Sequence, residues 1–392
     1  MTIHETTAFI EEHKEELRNE HLKCEELGNL TDRTVEILKA SGGFKLLLAK
    51  ELGGYAAHPT VFGQWVRAVA RYNPSAGWVA GVGGVHPWEF SIADERVRKE
   101  IYGTDPNTVT ASPYAPVGKI TRVEGGFRFS TDALYSTGCD ISEWFVLAGI
   151  VVDDSGKPAS NPPEALHLIF PREEVEIVPD SWNVMGLRGT GSKRVRVHDK
   201  FVPSYRMVDV KRVFAGECGD AQPDEPLFRW PFNSLFGPSI AHALHGIAQG
   251  FIDQFVAYMA SRKPTFGTET KHDPYQQGVL AKAIVDLKSS IALLDSELIR
   301  LHDKAVANQR FSVADRVTMS TYQKLGCARV MKSMNELWMH AGSASRWSDQ
   351  TMERYFRDLQ VGGSHYGCDP TTIYAPFVSI TLDPTAEPVG MF

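Results

Sequence analysis

A repeat of apolar residues in the last third of the chain constrains the fold most strongly. Six apolar residues recur at alternating intervals of three and four positions: Ile284, Leu287, Ile291, Leu294, Leu298 and Leu301. This spacing aligns them on one side of an α-helix, as in a helix that packs in a bundle. Similar spacing predicts an earlier helix through Ile240, Leu244, Ile247 and Phe251. Ser312 can cap a later helix that runs towards His340. Residues 225–392 are therefore predicted to form a C-terminal helical bundle.

The first part of the chain, residues 1–105, is also predicted to be helical. Thr31 or Asp32 can cap one helix, and Pro59 suits the first turn of a second, amphipathic segment. A glycine-rich apolar stretch follows at residues 76–85 and leads into His-Pro-Trp.

Residues 106–210 change to short β-type runs. Residues 119–123 and 127–130 flank Glu-Gly-Gly, which is a hairpin signal. Further runs of this kind occupy residues 144–152, 166–170 and 195–202. This order of helices, strands and again helices along the chain predicts an α+β architecture with segregated elements and not alternating βαβ units.

Composition argues against several classes of partner. The chain has 392 residues, of which 43% are hydrophobic, so it can bury a large core. Its net charge of −7 argues against nucleic acid, because no basic stripe could neutralise a row of phosphates. No run of about 18 apolar residues occurs, and the first residues lack the apolar core of a signal peptide.

The cysteines predict a reduced, cytoplasmic protein. They are scattered as Cys24, Cys139, Cys218, Cys327 and Cys368, with no CxxC pair. No metal site is expected, because neither HExxH nor a closely spaced set of Cys and His ligands is present.

Nucleotide-binding motifs are also missing. No GxGxxG stands between a predicted strand and a helix, and the glycine loop at residues 186–192 lies between β-type runs, as a tight turn would. A Walker loop and a GxSxG elbow are absent as well. The chain is therefore not expected to bind its own nicotinamide dinucleotide.

Several short motifs follow one another in an order that resembles one family. They are Ser75-Ala76-Gly77-Trp78, Gly84-Val85-His86-Pro87-Trp88, residues 112–118, Ser136-Thr137-Gly138-Cys139-Asp140, residues 186–192, Arg357-Asp358, and His365 with Asp369-Pro370. Together they resemble the oxygenase components of group D two-component flavin monooxygenases, which have an acyl-CoA dehydrogenase-like fold. The first two motifs resemble a helix-to-loop segment of that family. Steroid-ring hydroxylases and p-hydroxyphenylacetate 3-hydroxylase belong to this group.

The resemblance implies an N-terminal helical domain, a central β domain and a C-terminal four-helix bundle, assembled as a homotetramer. It implies reduced FMN or FAD supplied by a separate flavin reductase, with O2 as co-substrate. It further implies that a flavin C4a-hydroperoxide inserts one oxygen atom into an aromatic, phenolic substrate. The cavity would have to exclude water to protect that intermediate.

The resemblance also implies catalytic residues. His365 is the preferred base for the substrate hydroxyl, since the pKa of an imidazole lies near the working pH. Asp369, four residues later, could orient His365 if this stretch is helical. His86 and Ser112 match family residues near flavin and substrate, although at His86 a buried histidine bonded to a backbone carbonyl is nearly as good an interpretation.

Cofactor contacts come from two segments of the resemblance. Ser136 and Thr137 belong to the segment that approaches the flavin ring. Arg262 or Lys263, followed by Phe266, resembles the Arg-x-x-Phe-Gly element that holds flavin phosphate. By strict count Lys263 falls on the arginine position, and a lysine lacks the bidentate fork of arginine.

Trp78 and Tyr114 are predicted to line the aromatic pocket, or else to be core aromatics. One departure from the family lies at residues 131–135, which read Thr-Asp-Ala-Leu-Tyr where the family commonly has a tryptophan. The missing ring at Ala133 leaves the pose of the flavin and the size of the substrate open.

Three alternatives remain at this point. An acyl-CoA dehydrogenase would need a carboxylate base shortly after Arg357-Asp358, but no glutamate follows before Glu387. An N- or S-oxygenase or an indole oxygenase could use the same scaffold. A non-catalytic paralogue is supported by the departure at residues 131–135.

Overall fold

Helices form the first part of the chain. The computed structural model describes residues 3, 5–262, 269–390 and 392. The helices before the sheet are α1 (Glu5–Glu12), α2 (Lys14–Leu27), α3 (Asp32–Ala40), α4 (Pro59–Tyr72), α5 (Pro74–Ser91) and α6 (Glu95–Tyr102). Thr31 caps α3 by accepting a hydrogen bond from the Thr34 amide, and Pro59 lies in the first turn of α4. Both helix starts were predicted, whereas α1 and α2 have no strong sequence pattern and were not.

The middle of the chain forms one mixed sheet. Its strands are β1 (Thr110–Ala111), β2 (Gly118–Val123), β3 (Gly126–Ser136), β4 (Trp144–Val151), β5 (Ala165–Pro171), β6 (Glu176–Ile177), β7 (Lys193–Pro203) and β8 (Met207–Asp209). The order across the sheet is β6-β7-β3-β2-β4-β5-β8, and β1 pairs with β4. The predicted hairpin is β2 with β3, which turns through Gly125 at a φ of 77° that favours glycine.

The last part of the chain is helical again. Its helices are α7 (Val210–Ala215), α8 (Asn233–Ser261), α9 (Pro274–Val306), α10 (Val313–His340), α11 (Thr351–Gly363) and α12 (Tyr374–Leu382). The apolar repeat lies on α9, where its four leucines are buried. Ser312 and Asp315 form a capping box at the start of α10, as a cap at Ser312 predicted.

The helices before and after the sheet share one hydrophobic core. Helices α4 and α5 pack directly against α8, and buried residues of all three belong to the same cluster. The sheet has its own core, and its strands alternate between the two: Phe145 and Leu147 of β4 face the sheet core, and Val146 faces the helices. One face of the sheet therefore lies against the helical layer.

Helix α5 corrects one expectation from the sequence. The resemblance was to a helix-to-loop segment, but α5 continues through Pro87 to Ser91, and all of its residues are buried. Proline removes one helical hydrogen bond and glycine weakens a helix, so both normally favour an end to the helix. Here packing on every side of α5 outweighs these local preferences. The result is a rigid element that holds His86 inside the protein.

The glycine loop at residues 186–192 is fastened to the helices. The Asp358 carboxylate on α11 accepts a hydrogen bond of 2.5 Å from the Leu187 amide and pairs with His21 of α2 at 2.9 Å. A side chain at Gly186 would collide with the backbone of Arg357 and Asp358. The Arg-Asp motif therefore joins the loop, α2 and α11, and its role in this chain is structural.

Candidate active site

His86 lies at the centre of the helix–sheet interface, where α5 meets β1. Its Nδ1 is 2.9 Å from the carbonyl oxygen of Thr110, and its Nε2 is 2.8 Å from Oγ of Ser112. A carbonyl only accepts, so Nδ1 carries the proton and Nε2 of the neutral ring accepts from Ser112. Burial lowers the pKa of His86 to about 4, which keeps the ring neutral near pH 7.

A second buried network begins one helical turn later. The Glu89 carboxylate accepts a hydrogen bond of 2.7 Å from the Tyr114 hydroxyl and one of 2.5 Å from Nδ1 of His167 on β5. Burial acts to raise the pKa of Glu89, but His167 and Tyr114 together hold it below its usual value. The carboxylate is therefore ionised and fixes the direction of Tyr114.

Aromatic rings connect His86 to the other candidate histidine. The Tyr114 ring lies 5.5 Å from His86 and 5.3 Å from Phe236, measured between centroids. Phe236 lies 6.4 Å from His365, and His365 lies 5.7 Å from Trp78 in an edge-to-face contact. The sheet side and the bundle side of the site are thus joined by one continuous set of rings.

His365 has the opposite tautomer to His86. It stands just after α11, and its Nδ1 accepts a hydrogen bond of 3.0 Å from the Gly367 amide. The neutral ring must therefore carry its proton on Nε2, which makes that nitrogen a donor. Burial, together with the charge of Lys324, lowers the pKa of His365 to about 4.

The role expected for Asp369 is wrong. The stretch after His365 is a short 3-10 turn and not an α-helix, so the two side chains do not share a helical face. The Asp369 carboxylate instead accepts from the amide and hydroxyl of Thr371, at 2.9 and 2.7 Å, and caps the next turn. Its contacts leave the orientation of His365 to the Gly367 amide.

The end of β3 offers the clearest fit for a flavin. Oγ of Ser136 is fully buried and has no hydrogen-bond partner among the described residues. A buried hydroxyl without a partner is costly, so a bound group with polar edges would satisfy it. Thr137 is already bonded to Ser192 at 2.9 Å, and Ser192 to Thr190 at 2.8 Å. Of the two predicted flavin contacts, Ser136 therefore has a free hydroxyl, whereas the hydroxyl of Thr137 is held by the loop.

The predicted phosphate-binding element is described only in part. Arg262 ends α8 and stacks on the ring of Tyr258, with 5.2 Å from Cζ to the centroid. Lys263 and Phe266 lie outside the described residues. The assignment of this element to flavin phosphate stays a prediction.

Several residues of the site carry no motif and were missed. They are Glu89, His167, Phe232, Phe236 and Lys324. Glu89 stands three positions after His86 on α5, and that spacing could have placed both on one helical face. No local pattern relates His167 to Glu89, since β5 brings it there from a distant part of the chain.

The described part of the chain lacks two kinds of feature. No group of three or more His, Cys, Asp or Glu side chains is arranged to hold a metal ion. No described helix is both long and apolar enough to cross a membrane.

Comparison with known proteins gives the geometry a context. Residues 239–370 match the family model described as acyl-CoA dehydrogenase, C-terminal domain. A pigment production hydroxylase of Rhodococcus erythropolis is 35% identical over 356 residues, covering 91% of this chain and 90% of that protein. The flavin-dependent monooxygenase oxygenase subunit HsaA of Mycobacterium tuberculosis is 30% identical over 365 residues, covering 92% and 91%.

Solved structures agree with this result. The crystal structure of 3-HSA hydroxylase from Rhodococcus sp. RHA1 superimposes with a TM-score of 0.92 at 27% identity, covering 99% of each chain. The predicted acyl-CoA dehydrogenase-like α+β fold is therefore confirmed.

Proposed function

This chain belongs to the family of flavin-dependent monooxygenase oxygenase subunits, and we propose that it hydroxylates a phenolic substrate. The fold and the relatives support an oxygenase that receives reduced flavin from a separate reductase. They favour this activity over an acyl-CoA dehydrogenase, and the histidine at position 365 agrees, since a glutamate base is missing from that stretch.

Reduced flavin, when bound, reacts with O2 and supplies the electrophilic oxygen atom. The buried hydroxyl of Ser136 supports a place for the flavin ring at the end of β3, beside the loop at residues 186–192. The protein would hold that ring between sheet and bundle and exclude water from it.

One observation carries the assignment of a phenol: the tautomers of the two histidines. Nε2 of His86 is the basic nitrogen of a neutral ring, and it already accepts a hydrogen bond from the Ser112 hydroxyl. As the aromatic ring attacks the electrophilic oxygen, the phenolic hydroxyl becomes much more acidic and could pass its proton through Ser112 to His86, which would make the ring more nucleophilic in that step. His365 presents a donor and suits stabilisation of negative charge on an oxygen atom. We therefore assign the base to His86 with Ser112, in place of His365.

The surroundings of this pair suit an aromatic substrate. Tyr114, Phe232, Phe236 and Trp78 supply rings between the two histidines, and such rings bind other rings by offset or edge contacts. The smaller Ala133 in place of the family tryptophan is buried on β3. We propose that the flavin and substrate use the remaining rings for stacking.

The test compares proton acceptors at the two positions. His86→Gln and Ser112→Ala should lower hydroxylation at pH 7 by about 10²–10⁴-fold. Hydroxylation by both variants should recover as the pH approaches about 10, where a phenol ionises without a base. His365→Gln should lose coupling of O2 consumption to product without recovery at high pH.

If hydroxylation recovered at high pH only in His365→Gln, the base would be His365 and not His86. Loss of flavin binding in His86→Gln to the same extent as hydroxylation would assign His86 a purely structural role. Ser112→Ala keeps the test valid if His86→Gln does not fold, because Ser112 is not inside a helix.

The state of assembly and the location also belong to the proposal. Helix α9 exposes the apolar side chains of Val285, Leu293 and Ile299, which contact with other subunits of a homotetramer would cover. The five cysteines are free and buried, which accords with the reducing cytoplasm. Light scattering would check the tetramer, and mixing with flavin reductases would identify FMN or FAD as the cofactor.

A further inference from the structure

Helix α10 fastens the segment that follows His365 at two points. The side-chain amide of Gln323 donates a hydrogen bond of 2.6 Å to the Gly367 carbonyl oxygen, and Nζ of the next residue, Lys324, donates one of 2.7 Å to the Thr372 hydroxyl. Gln323 and Lys324 are each only 3% exposed. A buried hydrogen bond is costly to break, because the group left behind loses its partner without gaining water. The segment after His365 therefore takes its position from α10.

The direction of the Gln323 amide follows from its partner. A carbonyl oxygen only accepts, so the NH2 group of Gln323 must face Gly367. The same side chain packs closely against α8, since a Cβ at Gly237 would come within 2.3 Å of Oε1 of Gln323. Packing on one helix and bonding to the turn thus hold Gln323 in one orientation.

Gly367 lies between Gln323 and His365. Its carbonyl oxygen accepts from Gln323, and its amide donates a hydrogen bond of 3.0 Å to Nδ1 of His365. A Cβ at Gly367 would stand 3.1 Å from Nδ1 of His365 and 3.4 Å from Nε2 of Gln323, so the three residues are in close contact. Glycine has more backbone freedom than any other residue, and an unanchored Gly367 could turn its amide away from His365. The hydrogen bond from Gln323 removes that freedom.

The Gly367 amide in turn decides which ring nitrogen of His365 carries the proton. While the amide points at Nδ1, that nitrogen must accept and Nε2 is the donor. The tautomer of a neutral imidazole is set by such a hydrogen bond, so without it both tautomers would be populated. Nε2 would then be an acceptor in part of the molecules. His365 and Gln323 also line one pocket of about 80 Å³, on the side of the site formed by the bundle.

We propose that Gln323 is a positioning residue, which keeps Nε2 of His365 a hydrogen-bond donor by fixing the backbone of Gly367. Its effect on catalysis rests on the proposed function, in which this donor stabilises negative charge on an oxygen atom. Its effect on the tautomer is independent of that function, because it is a property of the protein without ligands. Gln323 acts through Gly367 and His365 and needs no contact with flavin or substrate.

The first test measures the tautomer. In protein that contains isotope-labelled histidine, NMR correlations between the ring nitrogens and the carbon-bound ring protons distinguish the two neutral tautomers. The signal that disappears in His365→Gln identifies His365. At pH 7 the unchanged protein should show His365 protonated at Nε2 alone. Gln323→Met keeps the length of the side chain but has no donor, and it should populate both tautomers.

Lys324→Met is the matched control for the tautomer. It removes the neighbouring hydrogen bond from α10 to the same segment but leaves the bond from Gln323 to Gly367. His365 should therefore stay protonated at Nε2. An equal change of tautomer in the Lys324 and Gln323 variants would indicate a general loosening of the segment and would overturn the inference.

The second test asks whether Gln323 acts through His365. Gln323→Met should lower the fraction of consumed O2 that appears as hydroxylated product by about 3–10-fold, as expected for loss of one hydrogen bond. In a His365→Gln background the same change should have no further effect, since both residues then act on one contact. Gln360→Met removes a hydrogen bond from α11 to Asn335 and should leave this fraction unchanged.

The remaining outcomes also decide. A His365 signal that is mixed in the unchanged protein, or that Gln323→Met does not alter, would overturn the inference. Additive losses in the double variant would do the same, because Gln323 would then act separately from His365. If Gln323→Met does not fold, Gln323→Asn is the milder variant, since its shorter amide cannot reach the Gly367 carbonyl. A change of tautomer as expected in a protein without hydroxylase activity would refute the proposed function and leave the role of Gln323 standing.

Discussion

At the scale of single residues, the site depends on where each proton sits. The Thr110 carbonyl sets the tautomer of His86, and the Gly367 amide sets that of His365. Backbone groups do not titrate, so these two settings do not change with pH in the working range. The same residue type can therefore serve as acceptor on one side of the site and as donor on the other.

Tyr114 offers a direct test of the network behind His86. Tyr114→Phe leaves one oxygen of the buried Glu89 without its donor, and should destabilise the fold by about 1–3 kcal/mol. It should also raise the KM for the aromatic substrate more than it lowers kcat, because the ring is kept but is no longer held in one direction. Denaturant unfolding and steady-state kinetics measure the two effects.

Tyr135→Phe is the control for that substitution. Tyr135 is 68% exposed, so loss of its hydroxyl should change the free energy of unfolding by less than about 0.5 kcal/mol. Equal stability of the Tyr114 and Tyr135 variants would contradict a structural role for the Glu89 network.

At the scale of elements, close contact between helices positions the site. Helix α5 carries both His86 and Glu89, and glycines let its backbone approach α4. A Cβ at Gly77 would come within 2.2 Å of both Cα and Cβ of Ala70 on α4. The position of α5 relative to α4 is therefore fixed by a contact that tolerates no side chain.

Gly77→Ala should reveal this contact. The added methyl group forces α4 and α5 apart and should destabilise the protein by about 1–3 kcal/mol, with loss of activity through displacement of His86. Gly278→Ala on α9 has open space around its Cβ and should be neutral or stabilising by up to about 1 kcal/mol. Thermal or urea unfolding of the two variants gives the comparison, and a stable Gly77 variant would refute it.

At the scale of the whole molecule, the shared core buries several neutral histidines. Burial lowers the pKa of His86 and His365 to about 4 and that of His245 to about 3. Unfolded chains regain an ordinary histidine pKa near 6.5 and bind protons that the folded state does not. The free energy of unfolding therefore does not suffer from these histidines above pH 6.5. It decreases as the pH falls from 6.5 towards 4, because the unfolded chain then binds protons at these positions.

The expected loss is about 2 kcal/mol for each such histidine between pH 6.5 and pH 5. Urea midpoints measured across this range should fall steadily with acidification. His245→Leu should make the urea midpoint depend less on pH. Both ring nitrogens of His245 are buried without partners among the described residues, so this histidine contributes only the cost of burying its polar ring. His198→Gln, on the exposed part of β7, should leave the slope unchanged, and equal slopes for both variants would contradict this explanation.

The sequence alone determined the local elements of this protein. Apolar repeats, capping residues and turn residues depend on neighbours within a few positions, so the seam of α9, the cap at Ser312 and the β2–β3 hairpin were all predictable. The order of short motifs identified the family for the same reason, since each motif is a local pattern.

Only the tertiary structure decided how the site works. It continued α5 through Pro87, gave the two histidines opposite tautomers and paired Asp369 with Thr371. It also brought His167 to Glu89 and Gln323 to Gly367. These relations join residues far apart in the chain, and burial sets their energies, so no window of sequence contains them.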